Sequence, residues 1–147
     1  MRISINAPMA KKKPQRRWVY APRKPTPPPV PEALKAEVQA RADELIDTRL
    51  KPKYIEPPPE DRRWNYIIDI WARWHRSFFH FGSTHASPGL NALSPTFESP
   101  FARMEYVGEG KFNLAYMRHT GKWWEVYRGL TADECLKRIR DEAIFQP

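Results

Sequence analysis

The sequence predicts an α+β fold: one small domain with an N-terminal helix, an antiparallel sheet of four or five strands and a C-terminal helix, preceded by a basic, proline-rich arm expected to be disordered. Three observations predict it. Residues 1–31 hold eight basic residues and no acid, whereas residues 32–147 hold 17 of each, so the whole formal charge of +8 lies in the arm. Half of the sixteen prolines fall in the same 31 residues. Beyond them, helical periodicity at both ends brackets a middle in which apolar and polar residues alternate. The division is therefore an arm over 1–31 and a single domain over 32–147.

The arm carries Arg2, Lys11, Lys12, Lys13, Arg16, Arg17, Arg23 and Lys24 around Trp18, Val19 and Tyr20. Pro25 to Pro31 favour extended polyproline II conformation and read as a stiff, solvated spacer. "MAKKK" from Met9 reads as a second start, so translation begins at Met1 or at Met9. "MRISINAPMAKKK" has no apolar core of a signal peptide.

"PEALKAEVQARADELIDTRL" reads as a helix. Pro31 suits its start and Glu32 complements the positive end of its dipole. Leu34, Val38, Ala42, Leu45, Ile46 and Leu50 keep one apolar stripe, and Lys51-Pro52 is expected to end it. In "RWNYIIDIWARWHRSFFHFGSTH" both periods fit. Aromatic and β-branched enrichment favours two strands with a turn near Arg73 to Arg76. "ASPGLNALSPTFESP" reads as a long irregular loop. "FARMEYV", "FNLAYMR" and "WWEVY", separated by "GEGK" and "HTGK", form a three-strand meander. Ala102, Met104, Tyr106, Phe112, Leu114 and Tyr116 would line its core face. Arg103, Glu105, Arg118 and Glu125 would line the other. Thr131 with Glu134 three residues on is a capping box for a last helix whose Cys135, Leu136 and Ile139 face inward.

Composition narrows the class. The single cysteine excludes an intramolecular disulfide and a cysteine zinc site, and suits a reducing cytoplasm. No apolar run approaches the roughly 18 residues that span a membrane. Six tryptophans, six tyrosines and seven phenylalanines against six glycines point to a packed aromatic core.

Motifs for chemistry are sparse. His75, His80 and His85 recur every five residues and His119 stands alone, with no HxxxH or HExxH pair, so they read as turn and surface histidines. Cys135 sits in an apolar stripe and reads as core. There is no GxSxG elbow, GxxxxGK[ST] loop or GxGxxG loop. No cofactor or metal is expected, and the balance leans away from an enzyme.

The segments "LKPKYIEPPPE", "NYIIDIW", "SPGLNALSPTFESPFARMEYVGEGKFNLAYMRHTGKWWEVY" and "LTADECLKRIRDE" followed by "FQP" resemble a family of small bacterial proteins known as a domain of unknown function. The resemblance covers about residues 32–147. It implies a bacterial cytoplasmic protein of one α+β domain and brings no catalytic residues with it.

Three functions remain in view. In the first, a non-enzymatic protein contacts nucleic acid or a ribonucleoprotein through Lys11, Lys12, Lys13, Arg16, Arg17, Trp18, Tyr20, Arg23 and Lys24, by counterion release and base stacking. Arg62, Arg63, Arg73 and Arg76 interleaved with Trp64, Trp71 and Trp74 extend that reading to the sheet, although core packing explains the tryptophans more simply. In the second, a small ligand-binding or enzymatic site lies between the 85–100 loop and the sheet, using Arg103, Glu105, Arg118 and His119. The third is a protein–protein adaptor docking through the proline strip. The first is favoured, because only the arm exceeds what folding requires.

Overall fold

The computed structural model describes residues 26–61 and 63–147. The expectations for residues 1–25, the arm's disorder among them, lie outside the described residues.

The first helix, α1, runs Glu32–Leu45, with Pro31 at its N-cap and the Lys35 N–H donating to the Pro31 carbonyl at 3.0 Å. Its stripe is buried as periodicity predicts, through Val38, Ala42 and Leu45 and on to Ile46 and Leu50. Lys51-Pro52 does not end the helical path. A π-helical turn over Ile46–Leu50 leads directly into α2, Lys51–Tyr54. Pro52 falls in the first turn of α2, where its missing N–H is least felt. The wider π turn keeps both Ile46 and Leu50 inward, and that burial outweighs the bias against α conformation at Lys51.

Five strands follow: β1 Tyr66–His75, β2 Phe78–Ala86, β3 Thr96–Gly108, β4 Lys111–Met117 and β5 Trp123–Thr131. They pair in sequence order, each antiparallel to the next, as one five-stranded meander. The β1–β2 turn lies at Arg76-Ser77, slightly later than the sequence suggests, with Arg76 at a φ of 56°. The 86–100 stretch is irregular only in its middle. β3 begins at Thr96, leaving Ser87–Pro95 irregular, its neck closed by the Ser87 N–H donating to the Pro95 carbonyl at 2.8 Å. Pro100 is accommodated in β3 because the β2–β3 register shifts there, between Phe81 and Gly82. The β3–β4 turn places Gly108, Glu109 and Gly110 all at positive φ, which "GEG" tolerates at little strain.

Both helices cover one face of the sheet. Ile70, Ala72, Phe79, Phe81, Ala102, Met104, Tyr106, Phe112 and Leu114 meet Val38, Leu50, Cys135 and Ile139 there. Phe79 and Phe81 pack edge-to-face with centroids 5.3 Å apart. The last helix, α3, runs Ala132–Asp141 and has the full capping box between Thr131 and Glu134. Burial pushes the Cys135 thiol up to about 12, as suits an inert core residue. After a 3-10 turn at Ala143–Phe145, the Gln146 side chain donates to the carbonyls of Ile139 and Arg140 at 2.8 and 2.9 Å. It also accepts from Lys53 Nζ at 2.9 Å and Tyr54 Oη at 2.5 Å, tying α2 to the end of α3.

The proline strip is not wholly solvated. Val30 is only 9% exposed and belongs to the core, and the chain before it runs along a cleft formed with Lys35, Arg76, Ser77 and Phe78.

Candidate functional site

Because side chains alternate across a strand, Trp71, Arg73 and His75 of β1 point away from the helices. So do Phe78, His80 and Gly82 of β2, Arg103 and Glu105 of β3, and Trp123 and Glu125 of β5. The register sets Arg73 opposite His80, His80 opposite Arg103, Arg103 opposite Ala115 and Ala115 opposite Glu125. One row thus crosses the open face with two arginines flanking a histidine.

Aromatic rings bracket the row. Trp71 lies flat across Gly82, where an added Cβ would meet the indole at 2.2 Å, so only glycine admits the ring there. Its Nε1 donates to Thr84 Oγ1 at 3.2 Å. The Arg73 guanidinium sits 3.7 Å over the Trp71 ring and pairs with Glu98 at 2.7 Å. The Arg103 guanidinium lies between Phe78 and Trp123, 4.7 and 4.9 Å from their centroids. His80 is 5.7 Å from Trp123. A depression of about 440 Å³ opens among Trp71, Arg73, His80, Glu98, Pro100 and Trp123.

The electrostatics of the row are unfavourable without a partner. Arg73 and Arg103 both stand opposite His80, so protonating it would set like charges directly across the strands. Burial lowers the His80 pKa, and Arg103, His75 and Arg73 lower it further. Burial also lowers the Arg103 pKa, opposed by Glu105 and Glu125. The Arg103 Nε is buried and has no hydrogen-bond partner among the described residues. An anion against this row would favour the charged forms of His80 and Arg103, and a flat ring could stack on the open side of the Arg73 guanidinium, whose other side faces Trp71.

The residues that sequence reasoning proposes fall in different places. Lys11, Lys12, Lys13, Arg16, Arg17, Trp18, Tyr20, Arg23 and Lys24 lie outside the described residues, as does Arg62. Trp71 and Arg73 are on the open face. Trp74 is on the helix side, donating from Nε1 to the Lys35 carbonyl at 3.1 Å and packing on Phe79. Trp64 precedes β1 and is 64% exposed, its Nε1 donating to Asp61 at 3.1 Å. Arg103 and Glu105 are not brought together with Arg118 and His119. Arg118 stacks on Trp124 at 4.9 Å, and Trp124, the register partner of the core-side Tyr116, points opposite to Trp123. Arg118 and His119 line a second cavity of about 440 Å³ at the end of the sheet, with Ser83, His85 and Ser99.

Phe78, His80, Trp123, Ser83 and His85 are the site residues that sequence reasoning missed. His80 and His85 are half-buried in the sheet, not turn histidines. His85 stacks on Phe97, centroids 4.9 Å apart, and its Nε2 lies 2.8 Å from Ser83 Oγ. A two-residue alternation through "FFHFG" would have flagged Phe78 and His80, since it sets them apart from the core pair Phe79 and Phe81.

A family model described as Domain of unknown function (DUF3024) matches residues 30–147. The chain belongs to this family. The match begins at Val30, the residue at which the proline strip enters the core. The DUF3024 domain thus contains both the open face and the sheet-end cavity, while the basic residues of the arm precede it. No curated protein and no solved structure matches the chain. Among the described residues no helix is long and apolar enough to cross a membrane.

Proposed function

We propose that this DUF3024 protein is a non-enzymatic binding protein for single-stranded nucleic acid, free or within a ribonucleoprotein. The observation that carries the reading is the Arg73–His80–Arg103 row bracketed by Trp71 and Trp123. Phosphates would accept from the guanidinium edges and His80, while unpaired bases stack on the guanidinium and indole planes. A duplex buries its bases and offers little to such a face.

The face is modest in charge, because Glu98 neutralises Arg73 and Glu125 is shared with Arg128. The arm compensates for this. Its eight basic residues supply sequence-independent attraction, and its root runs beside Arg76 and Phe78 at one end of the open face. Charge in the arm sets affinity, and the face selects unpaired bases. A reducing compartment such as the cytoplasm suits the single buried thiol.

Fluorescence anisotropy with labelled single-stranded RNA, single-stranded DNA and duplex DNA tests this. Full engagement of eight cations implies a loss of affinity for a single strand of about two-thousandfold between 50 and 200 mM salt. Removing residues 1–25 should abolish most of that salt dependence. Arg103→Ala and Trp123→Ala in the full chain should lower affinity for single strands roughly tenfold and leave duplex binding unchanged. Equal losses on both ligands would sink the role of the face. Binding that neither salt nor truncation alters would reject nucleic acid and return attention to the proline strip as a protein-docking element.

A further inference from the structure

The sheet-end cavity is a separate site with a different chemistry. It lies on the helix side, lined by Ser83, His85, Ser99, Arg118 and His119 among its polar residues and by Pro100, Phe101 and Met117 among its apolar ones. Gly121, Gln146 and Pro147 complete its lining, which holds no Asp or Glu side chain among the described residues. Arg118 enters no salt bridge among the described residues. Its guanidinium is nonetheless positioned, 4.9 Å from the Trp124 centroid, at the start of a turn closed by the Arg118 N–H donating to the Lys122 carbonyl at 2.9 Å.

The opposite wall is equally fixed. Ser83 is 1% exposed, and its Oγ donates to the Ser99 carbonyl at 3.3 Å. Ser83 Oγ and His85 Nε2 share a hydrogen bond at 2.8 Å, whose direction follows the imidazole tautomer. Stacking on Phe97 with an interplanar angle of 4° holds the ring plane. The wall is thus a fixed hydroxyl–imidazole pair, Arg118 and His119 offer donors, and about 440 Å³ lies between.

We infer that this cavity binds a small organic oxyanion, a phosphate monoester or a carboxylate carried on an apolar body. The oxyanion pairs with Arg118, with His119 as a second donor, and the body rests on Pro100, Phe101 and Met117. Arginine suits either anion because its fork matches both bidentately. The site has its own residues, so it stands whether or not the open face binds nucleic acid.

The test uses the full chain with three probes, phenyl phosphate, benzoate and inorganic phosphate, followed by backbone and histidine-ring NMR shifts. Phenyl phosphate or benzoate should shift His85, Arg118 and His119 saturably below about 10 mM, with inorganic phosphate at least fivefold weaker for want of a body. Whichever of the two aromatic probes binds tighter assigns the anion class. Arg118→Gln should weaken binding at least tenfold and Arg118→Lys less so. Arg103→Ala, on the other face, should change nothing, so failure of the nucleic-acid reading remains distinct from failure here. Absence of saturable shifts, shifts centred on Arg73 and Arg103, or full binding by Arg118→Gln would each overturn the inference. Should Arg118→Gln fail to fold, His119→Asp, an exposed turn position on the same cavity, supplies the check, and undiminished binding by it has the same force.

Discussion

Gly82→Ala is the sharpest test of the open face, because its sign depends on where Trp71 lies. Gly82 does not occupy the left-handed region, so alanine suits its backbone. In open space such a change in a strand stabilises by about 0.4–1 kcal/mol, through the unfolded chain. Here the new Cβ would sit 2.2, 2.3 and 2.8 Å from Trp71 Cζ2, Cη2 and Cε2. The indole must move outward by roughly 1.5 Å to reach ordinary van der Waals contact. That motion breaks the Nε1 hydrogen bond to Thr84, worth about 0.5–1.5 kcal/mol, and loosens the Arg73 stack, worth about 0.5–1 kcal/mol. The net effect should be destabilising by about 1 kcal/mol, or about 4 °C in Tm for a domain of this size.

The assay is a double-mutant cycle in urea. In the Trp71→Ala background the collision is gone, so Gly82→Ala should be neutral or stabilising. The two legs of the cycle should then differ by about 1.5 kcal/mol, the sum of the opposing effects. Near-ultraviolet circular dichroism should report the displaced indole in the single variant. If Gly82→Ala stabilises both backgrounds equally, Trp71 does not lie across β2 and the description of the face is refuted.

Other expectations follow from individual contacts. Gln146→Leu removes four hydrogen bonds, two to α2 and two to the end of α3, and should cost about 3 kcal/mol by denaturation, against about 1 for Tyr54→Phe. Thr131→Ala deletes half of the capping box and should cost about 1 kcal/mol, with loss of amide protection confined to the first turn of α3. His80 should titrate below its ordinary value by NMR, because burial first and then Arg103, His75 and Arg73 favour the neutral ring. The unfolded chain then binds the proton more readily, so the stability His80 contributes is present above about pH 6.5 and is lost as pH falls below it. His80→Gln should flatten that slope, and saturating single-stranded RNA should raise the His80 midpoint.

Local signals carried much of the fold. The stripe from Val38 to Leu50, the meander with its glycine turns and the Thr131–Glu134 box each depend on residues within one or two turns of one another, and each forms as its pattern predicts. The site was less legible because it depends on facing across strands. The register shift between Ile67 and Asp69 leaves Ile68 as an extra residue in β1, and that between Phe81 and Gly82 leaves Phe101 as an extra residue in β3, so alternation breaks at those two residues. Trp71 and Trp74, three apart on a regular stretch of β1, part to opposite faces. Arg118 shares the parity of Tyr116, two residues before it, and goes to the helix side away from Arg103. Pro52 misled for another reason: a single π turn absorbed it, and only tertiary burial of Ile46 and Leu50 selects that turn.

In the proposed reading the charge distribution ties the arm to the face. Residues 32–147 carry equal numbers of basic and acidic residues, so a polyanion meets no long-range attraction from the domain itself. All the excess sits on 25 residues that join the domain at Thr26, and the prolines that follow run beside Arg76 and Phe78. An extended chain of that length reaches about 75 Å, enough to hold a strand's phosphates while its bases rest on the row a few residues from the root. Tethering makes the second contact intramolecular, so a weak face gains from an effective concentration in the millimolar range. It follows that a strand long enough to reach both should bind the full chain more tightly than it binds either residues 1–25 or residues 26–147 alone, by a factor set by the effective concentration. If lengthening the strand gives no such gain, the arm and the face do not share one strand.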